Sequence, residues 1–119
     1  MTHIEGEGTL VRIFIGEADR LGGHSLYEAI VLAAREMGLG GATVLRGIAG
    51  FGADSVFHTT RLLRMSQDLP VVVEVVEMPD RIEPFVARVE EMLDEADCGG
   101  LITWEKAHVI RYKPDRSNR

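Results

Sequence analysis

Two stretches of helical periodicity, each lying between β-branched runs, restrict this 119-residue chain more than any other feature. Residues 8–15, Gly-Thr-Leu-Val-Arg-Ile-Phe-Ile, are rich in β-branched and aromatic types and predict a strand. Leu26, Ala29, Ile30, Ala33 and Met37 then recur at three- and four-residue spacing and predict an amphipathic helix. Ser25 stands at its N-cap, Glu28 completes a capping box, and Gly38 supplies a natural stop. Ala42 to Ile48 predicts a second strand and Pro70 to Glu77 a third. A second helix opens at Met78-Pro79-Asp80, with Pro84 in its first turn and Gly99-Gly100 at its close. Its buried stripe is Ile82, Phe85, Val86, Val89, Met92 and Leu93. Leu101 to Tyr112 predicts the last strand. Residues 16–24, with three glycines, read as a loop, and residues 56–66 fit either extended chain or a helical turn.

The order β-α-β-loop-β-α-β is the split βαβ pattern, so the expected fold class is α+β, a ferredoxin-like βαββαβ sandwich. Length argues for a single domain over 1–119, with its core at about 6–112 and a polar, basic tail at 113–119. Such a sandwich has helices on one sheet face only, and the other should then be polar. Here the opposite positions include Leu10, Phe14, Val72 and Val76. An uncovered apolar face of that kind predicts subunits packed sheet against sheet; the alternative is the last strand or the tail folded across it.

A net charge of −6 excludes a general phosphate-backbone binder, so no nucleic acid is expected as the main partner. The longest apolar runs, such as Pro70-Val71-Val72-Val73, are too short to cross a bilayer, so no membrane insertion is expected. Residues 1–10 lack a basic start followed by an apolar run, and Cys98 is the only cysteine; both point to the cytoplasm. Cys98 has no strong local activator and reads as an incidental thiol.

Three glycine clusters compete as binding loops. Gly38, Gly40 and Gly41 follow a helix, the reverse of a dinucleotide fingerprint, and are explained by turn chemistry. Gly22-Gly23 precede the first helix, whose amides could hold an anion. Gly47-Ile48-Ala49-Gly50-Phe51-Gly52 follows a strand and is not a Walker loop. There, Gly50 and Gly52 could let backbone amides approach a phosphate with Phe51 beside a ligand ring, against a plain hairpin bend. His3, His24, His58 and His108 lack metal-ligand spacing, so no metal is expected, and Asp54 with His58 would make only a two-ligand site. Ser25, His58 and Asp54 form no nucleophile elbow. Glu90-Glu91 and Asp94-Glu95 read as solvated charge on the outer face of the second helix.

Residues 8–17 resemble the opening of the uncharacterised PII-like family known as domain of unknown function 190. So do Leu-Tyr-Glu-Ala-Ile-Val (26–31), Gly-Ala-Thr-Val-Leu-Arg-Gly-Ile-Ala-Gly-Phe-Gly (41–52) and Asp-Leu-Pro-Val-Val-Val-Glu (68–74). The resemblance covers about residues 6–112. The related PII signalling proteins are ferredoxin-like trimers that hold adenine nucleotides between subunits and report to a partner through a mobile loop. By that resemblance, Gly50-Phe51-Gly52 matches the base of the mobile loop, Thr43 the threonine near the adenine, and Arg111 an arginine that meets phosphates. Arg46 is a further candidate from the same strand as Thr43.

The PII glycine-lysine loop after the second helix is reduced here to Gly99-Gly100, which favours AMP or ADP over ATP. The resemblance thus implies a homotrimeric PII-like regulator, not an enzyme. It requires no cofactor, takes an adenine nucleotide as effector, and modulates a membrane transporter or an enzyme. The alternatives are an acylphosphatase-type enzyme and a divalent-cation-tolerance trimer. Against the first, Arg20 is present but the only asparagine is Asn118 in the tail; against the second, there is no Cys/His cluster.

Overall fold

Alternation of apolar side chains at odd positions builds the sheet. The structure, a computed structural model, describes residues 4–52 and 68–114. Its elements in chain order are β1 (Gly6–Gly16), β2 (Arg20–Leu21), β3 (His24–Ser25), α1 (Leu26–Glu36), β4 (Thr43–Arg46), β5 (Pro70–Glu77), α2 (Pro79–Ala96) and β6 (Leu101–Val109). Four strands form one antiparallel sheet in the order β4-β5-β1-β6, and β2 pairs with β3 in a small hairpin. This is the expected ferredoxin-like topology, with the first and third long strands central. Val11, Ile13 and Ile15 of β1 and Val71, Val73 and Val75 of β5 turn to one face and are buried. Leu26, Ile30, Ala33 and Ala34 of α1 and Ile82, Phe85, Val89 and Met92 of α2 close over them. Each of these larger side chains contributes about 1.5–3 kcal/mol by leaving water.

Several sequence expectations need correction at their ends. β4 stops at Arg46, short of Ile48, because Gly47 then faces Pro70. Gly47 N–H donates to the Pro70 carbonyl at 2.7 Å, but proline has no N–H to return. β6 stops at Val109, short of Tyr112, because its partner β1 ends at Gly6 in the pairing Gly6–Val109. The loop expected at 16–24 contains the β2–β3 hairpin. That pairing holds Ser25 extended, so its hydroxyl donates to Glu28 Oε1 at 2.6 Å and makes no side-chain bond to the helix backbone. Pro79 takes the first-turn position of α2, and Pro84 lies a turn further in, at an exposed site where water can satisfy the carbonyl it leaves unbonded. Left-handed Asp97 (φ 54°) ends α2 ahead of Gly99, with Cys98 N–H donating to the Leu93 carbonyl at 3.3 Å. Of residues 56–66, none lies within the described residues, nor do Asp54 and His58.

The second sheet face is mixed rather than uniformly apolar. The register aligns Leu45, Val72, Phe14 and Leu101 in one row across it. The next row holds Thr43, Glu74, Arg12 and Thr103. Arg12 donates to Glu74 Oε2 at 3.0 Å and to Glu105 Oε1 at 2.8 Å. These bonds, Glu74 first, raise the guanidinium above its ordinary pKa. β6 is an edge strand beside β1 and does not fold across this face, on which Leu45 and Leu101 are half exposed.

Candidate functional site

The six residues singled out from sequence fall in three places along the sheet. Gly50, Phe51 and Gly52 lie beyond the Gly16 end of β1. They are brought there by the Gly47–Pro70 contact, where a β-carbon on Gly47 would come within 2.9 Å of Pro70 Cγ. Gly50, at φ 139°, takes a backbone conformation that a side chain would strain. Phe51 is two-thirds exposed. With Gly52 it walls a cleft of about 320 Å³ whose other sides are Phe14, Ile15, Pro70, Leu101 and the Gly99-Gly100 turn. Gly100 packs tightly there, since a β-carbon on it would sit 3.2 Å from the Phe14 carbonyl.

Two carboxylates that sequence reasoning missed, Asp19 and Asp68, complete the lining. Gly16 N–H donates to Asp19 Oδ2 at 2.8 Å, and Ala18 N–H to Asp68 Oδ1 at 3.1 Å. Asp68 lies two residues before the proline that starts β5, inside the Asp-Leu-Pro run that carries the family resemblance, but nothing in that run marks it as lining a cleft. Only folding sets it against the end of β1.

Arg46 stands at the same end, where its Nη2 pairs with Glu17 Oε2. The arginine is largely exposed, and an exposed ion pair is worth about 0–1 kcal/mol. A ligand phosphate can therefore compete for it. Thr43 is mid-sheet, level with Glu74 and Arg12, and exposed. Arg111 is at the far end, past the Gly6–Val109 pair. There it lines a shallow surface depression with Ile4, Glu5, Ile110, Tyr112 and Lys113. The strand between these ends is about 33 Å long. One chain therefore places Arg46 at the same end of the sheet as the Gly-Phe-Gly segment, outside the cleft lining, and leaves Arg111 at the other end.

The remaining candidates separate from this cleft. Gly22-Gly23 form the tip of the β2–β3 hairpin, where Arg20 Nη2 donates to the Gly23 carbonyl at 2.8 Å; this is not an arginine held inside a phosphate loop. Among the described residues no group of three or more His, Cys, Asp or Glu side chains is placed to hold a metal ion. Nor, among them, is any helix long and apolar enough to cross a membrane.

Known proteins bear on this arrangement directly. Residues 8–109 match the family DUF190, described as Uncharacterized ACR. The chain belongs to DUF190. A UPF0166 protein of Aquifex aeolicus is 36% identical over 101 residues, covering 85% of this chain and 91% of that one. A UPF0166 protein of Methanocaldococcus jannaschii is 29% identical over 102 residues, covering 86% and 91%. Among solved structures, this DUF190 chain is similar to CPII of Thiomonas intermedia K12, a nitrogen regulatory PII-like protein, in a form bound to ADP, AMP and bicarbonate. The TM-score is 0.65 at 13% identity, covering 88% of this chain and 90% of that one. It is also similar to a putative PII-like signaling protein of Thermus thermophilus, with TM-score 0.61 and 14% identity, covering 90% and 94%. At such identities the likeness establishes a shared fold: this DUF190 chain has the fold of those PII-like proteins.

Proposed function

We propose that the protein is a non-enzymatic PII-like regulator that binds AMP or ADP between the subunits of a homotrimer and modulates a partner, a transporter or an enzyme. The observation that carries this is the division of the site: a cleft with Phe51 at one end of the sheet, and Arg111 one strand length away. A second copy is needed to bring an Arg111 to the cleft, and the half-exposed Leu45 and Leu101 offer an apolar row for it to cover.

The cleft's chemistry orients the ligand. Its walls are apolar and its carboxylates, Asp19 and Asp68, accept hydrogen bonds and repel anions. The base and ribose, which carry N–H and O–H donors, suit it; phosphate does not. This revises the expectation that the amides of Gly50 to Gly52 meet phosphate: Phe51 stacks on the base, and the phosphates lie toward Arg46 and a neighbour's Arg111. Limited positive charge favours one or two phosphates over three. The similar fold of a protein whose bound forms include ADP and AMP supports the same reading.

The test is a thermal-shift and calorimetry panel of AMP, ADP and ATP, with light scattering for mass. AMP or ADP at one hundred times its Kd should stabilise the fold by about 2.7 kcal/mol. The scattering mass should be three times 13.1 kDa. No binding at millimolar concentration overturns the nucleotide reading, and a persistent monomer overturns the shared site.

A further inference from the structure

The C-terminal segment that carries Arg111 leaves the sheet at Val109 and has no regular secondary structure through residue 114. Ile110, Arg111 and Lys113 are exposed, while Tyr112 is partly buried. Tyr112 Oη donates to the Gly40 carbonyl at 2.8 Å in the turn between α1 and β4. Its ring lies so close that a β-carbon on Gly40 would stand 3.1 Å from both Cζ and Oη, and 2.4 Å from Ile4 Cδ1. Gly40 is itself held from the other side, where its N–H donates to Glu77 Oε1 at 2.9 Å. Glu77 is fully buried, and its second oxygen accepts from Met78 N–H at 3.2 Å and faces Arg81 Nε at 3.9 Å. Arg81 Nη2 donates to the carbonyls of Met37 and Gly38, at 3.1 and 2.7 Å, which locks the end of α1 to the start of α2. The seat of Tyr112 is thus braced on three sides.

From this geometry we propose that Tyr112 is a positioning residue: it clips the C-terminal segment onto the α1–β4 turn and so presents Arg111 to the phosphate of a bound nucleotide. The inference rests on the proposed nucleotide site and adds its control point. Arg111 makes no hydrogen bond or ion pair with any other described residue, so among these its guanidinium is placed only through its own backbone. A flexible five-donor fork gains most from phosphate when its backbone is already placed. The clip removes that ordering cost before the ligand arrives. It also joins the segment that carries Arg111 to the turn that leads into β4.

The experiment combines a binding cycle with a ligand-free readout. ADP binding is measured by calorimetry on wild type, Tyr112→Phe, Arg111→Ala and the double variant. Tyr112→Phe keeps the ring and loses the donor, and should weaken ADP about fivefold. Arg111→Ala should weaken it about tenfold to a hundredfold, with the double variant no weaker than Arg111→Ala alone. Equal losses from Tyr112→Phe with and without Arg111 would mean a purely structural role and overturn the proposal.

Separately, trypsin cleavage after Arg111 is timed without ligand by peptide mass, which separates it from cleavage after Arg116; Lys113 precedes Pro114 and resists. Tyr112→Phe and Gly40→Ala should each speed cleavage, the latter by displacing the ring. Unchanged rates in both overturn the clip. If wild type binds no ADP, the positioning role falls with the nucleotide reading, while the cleavage rates still decide whether the clip exists.

Discussion

The two faces of this sheet are made from the same strands and nearly the same residue types, yet they have opposite fates. On one, Val11, Ile13, Ile15, Val71, Val73 and Val75 are buried under two helices. On the other, Leu10, Phe14, Val72 and Val76 alternate with them and are only partly buried, and Arg12 with Glu74 and Glu105 stands among them. The covered face carries a buried carboxyl side chain, Glu77, at the end of β5, where the α1–β4 turn and the start of α2 supply partners. The open face carries its charges at the centre, where they satisfy one another. A face completed within the chain excludes charge from its middle. The open face keeps a hydrogen-bonded group there, one arginine between two glutamates.

The largest effect should come from the covered face. Phe85, fully buried on α2, should cost about 3–5 kcal/mol when changed to alanine, measured by denaturant melts. A loss below about 1 kcal/mol would erase the contrast between the faces. Next is the buried carboxyl side chain: Glu77→Met matches its length but strands the Gly40 N–H, and should cost about 1–3 kcal/mol in the same melts.

On the open face the expectation inverts. Leu45→Glu should change the stability of an isolated subunit by no more than about 0.5 kcal/mol, since half the side chain is already in water. By light scattering, however, it should break the proposed trimer to subunits. If the assembly survives, that row is not the interface. The smallest effect is expected outside both faces. Glu91→Gln removes an exposed pair with Arg88 on α2 and should shift stability by only about 0.3 kcal/mol.

Much of this was readable before folding. β5 runs over Pro70–Glu77 as its β-branched run predicts, and of the expected α2 stripe Ile82, Phe85, Val89 and Met92 are buried while Val86 and Leu93 are only partly so. These signals are local: periods of two and of 3.6 residues are imposed by the backbone itself. Element ends were less readable because they depend on partners. β4 is cut short by Pro70 and β6 by Gly6, residues distant in sequence. The site was legible in part. Phe51 and Gly52 wall a cleft, with Arg46 at the same end of the sheet outside its lining, but nothing in the sequence marked Asp19 or Asp68 as facing it.

What the sequence determined by itself, then, is the order of the two helices and four long strands, most of the covered core and membership of DUF190, all of which follow from local periodicity and from residue identity along the chain. Tertiary structure decided the rest. It placed Arg111 a strand length from Phe51, set Tyr112 on Gly40, and neutralised Arg12 between two glutamates. The physical reason is the range of the forces. Periodicity is read over one or two turns of chain, whereas a hydrogen bond such as that from Tyr112 to Gly40 joins residues 72 positions apart and exists only once the sheet has fixed their register.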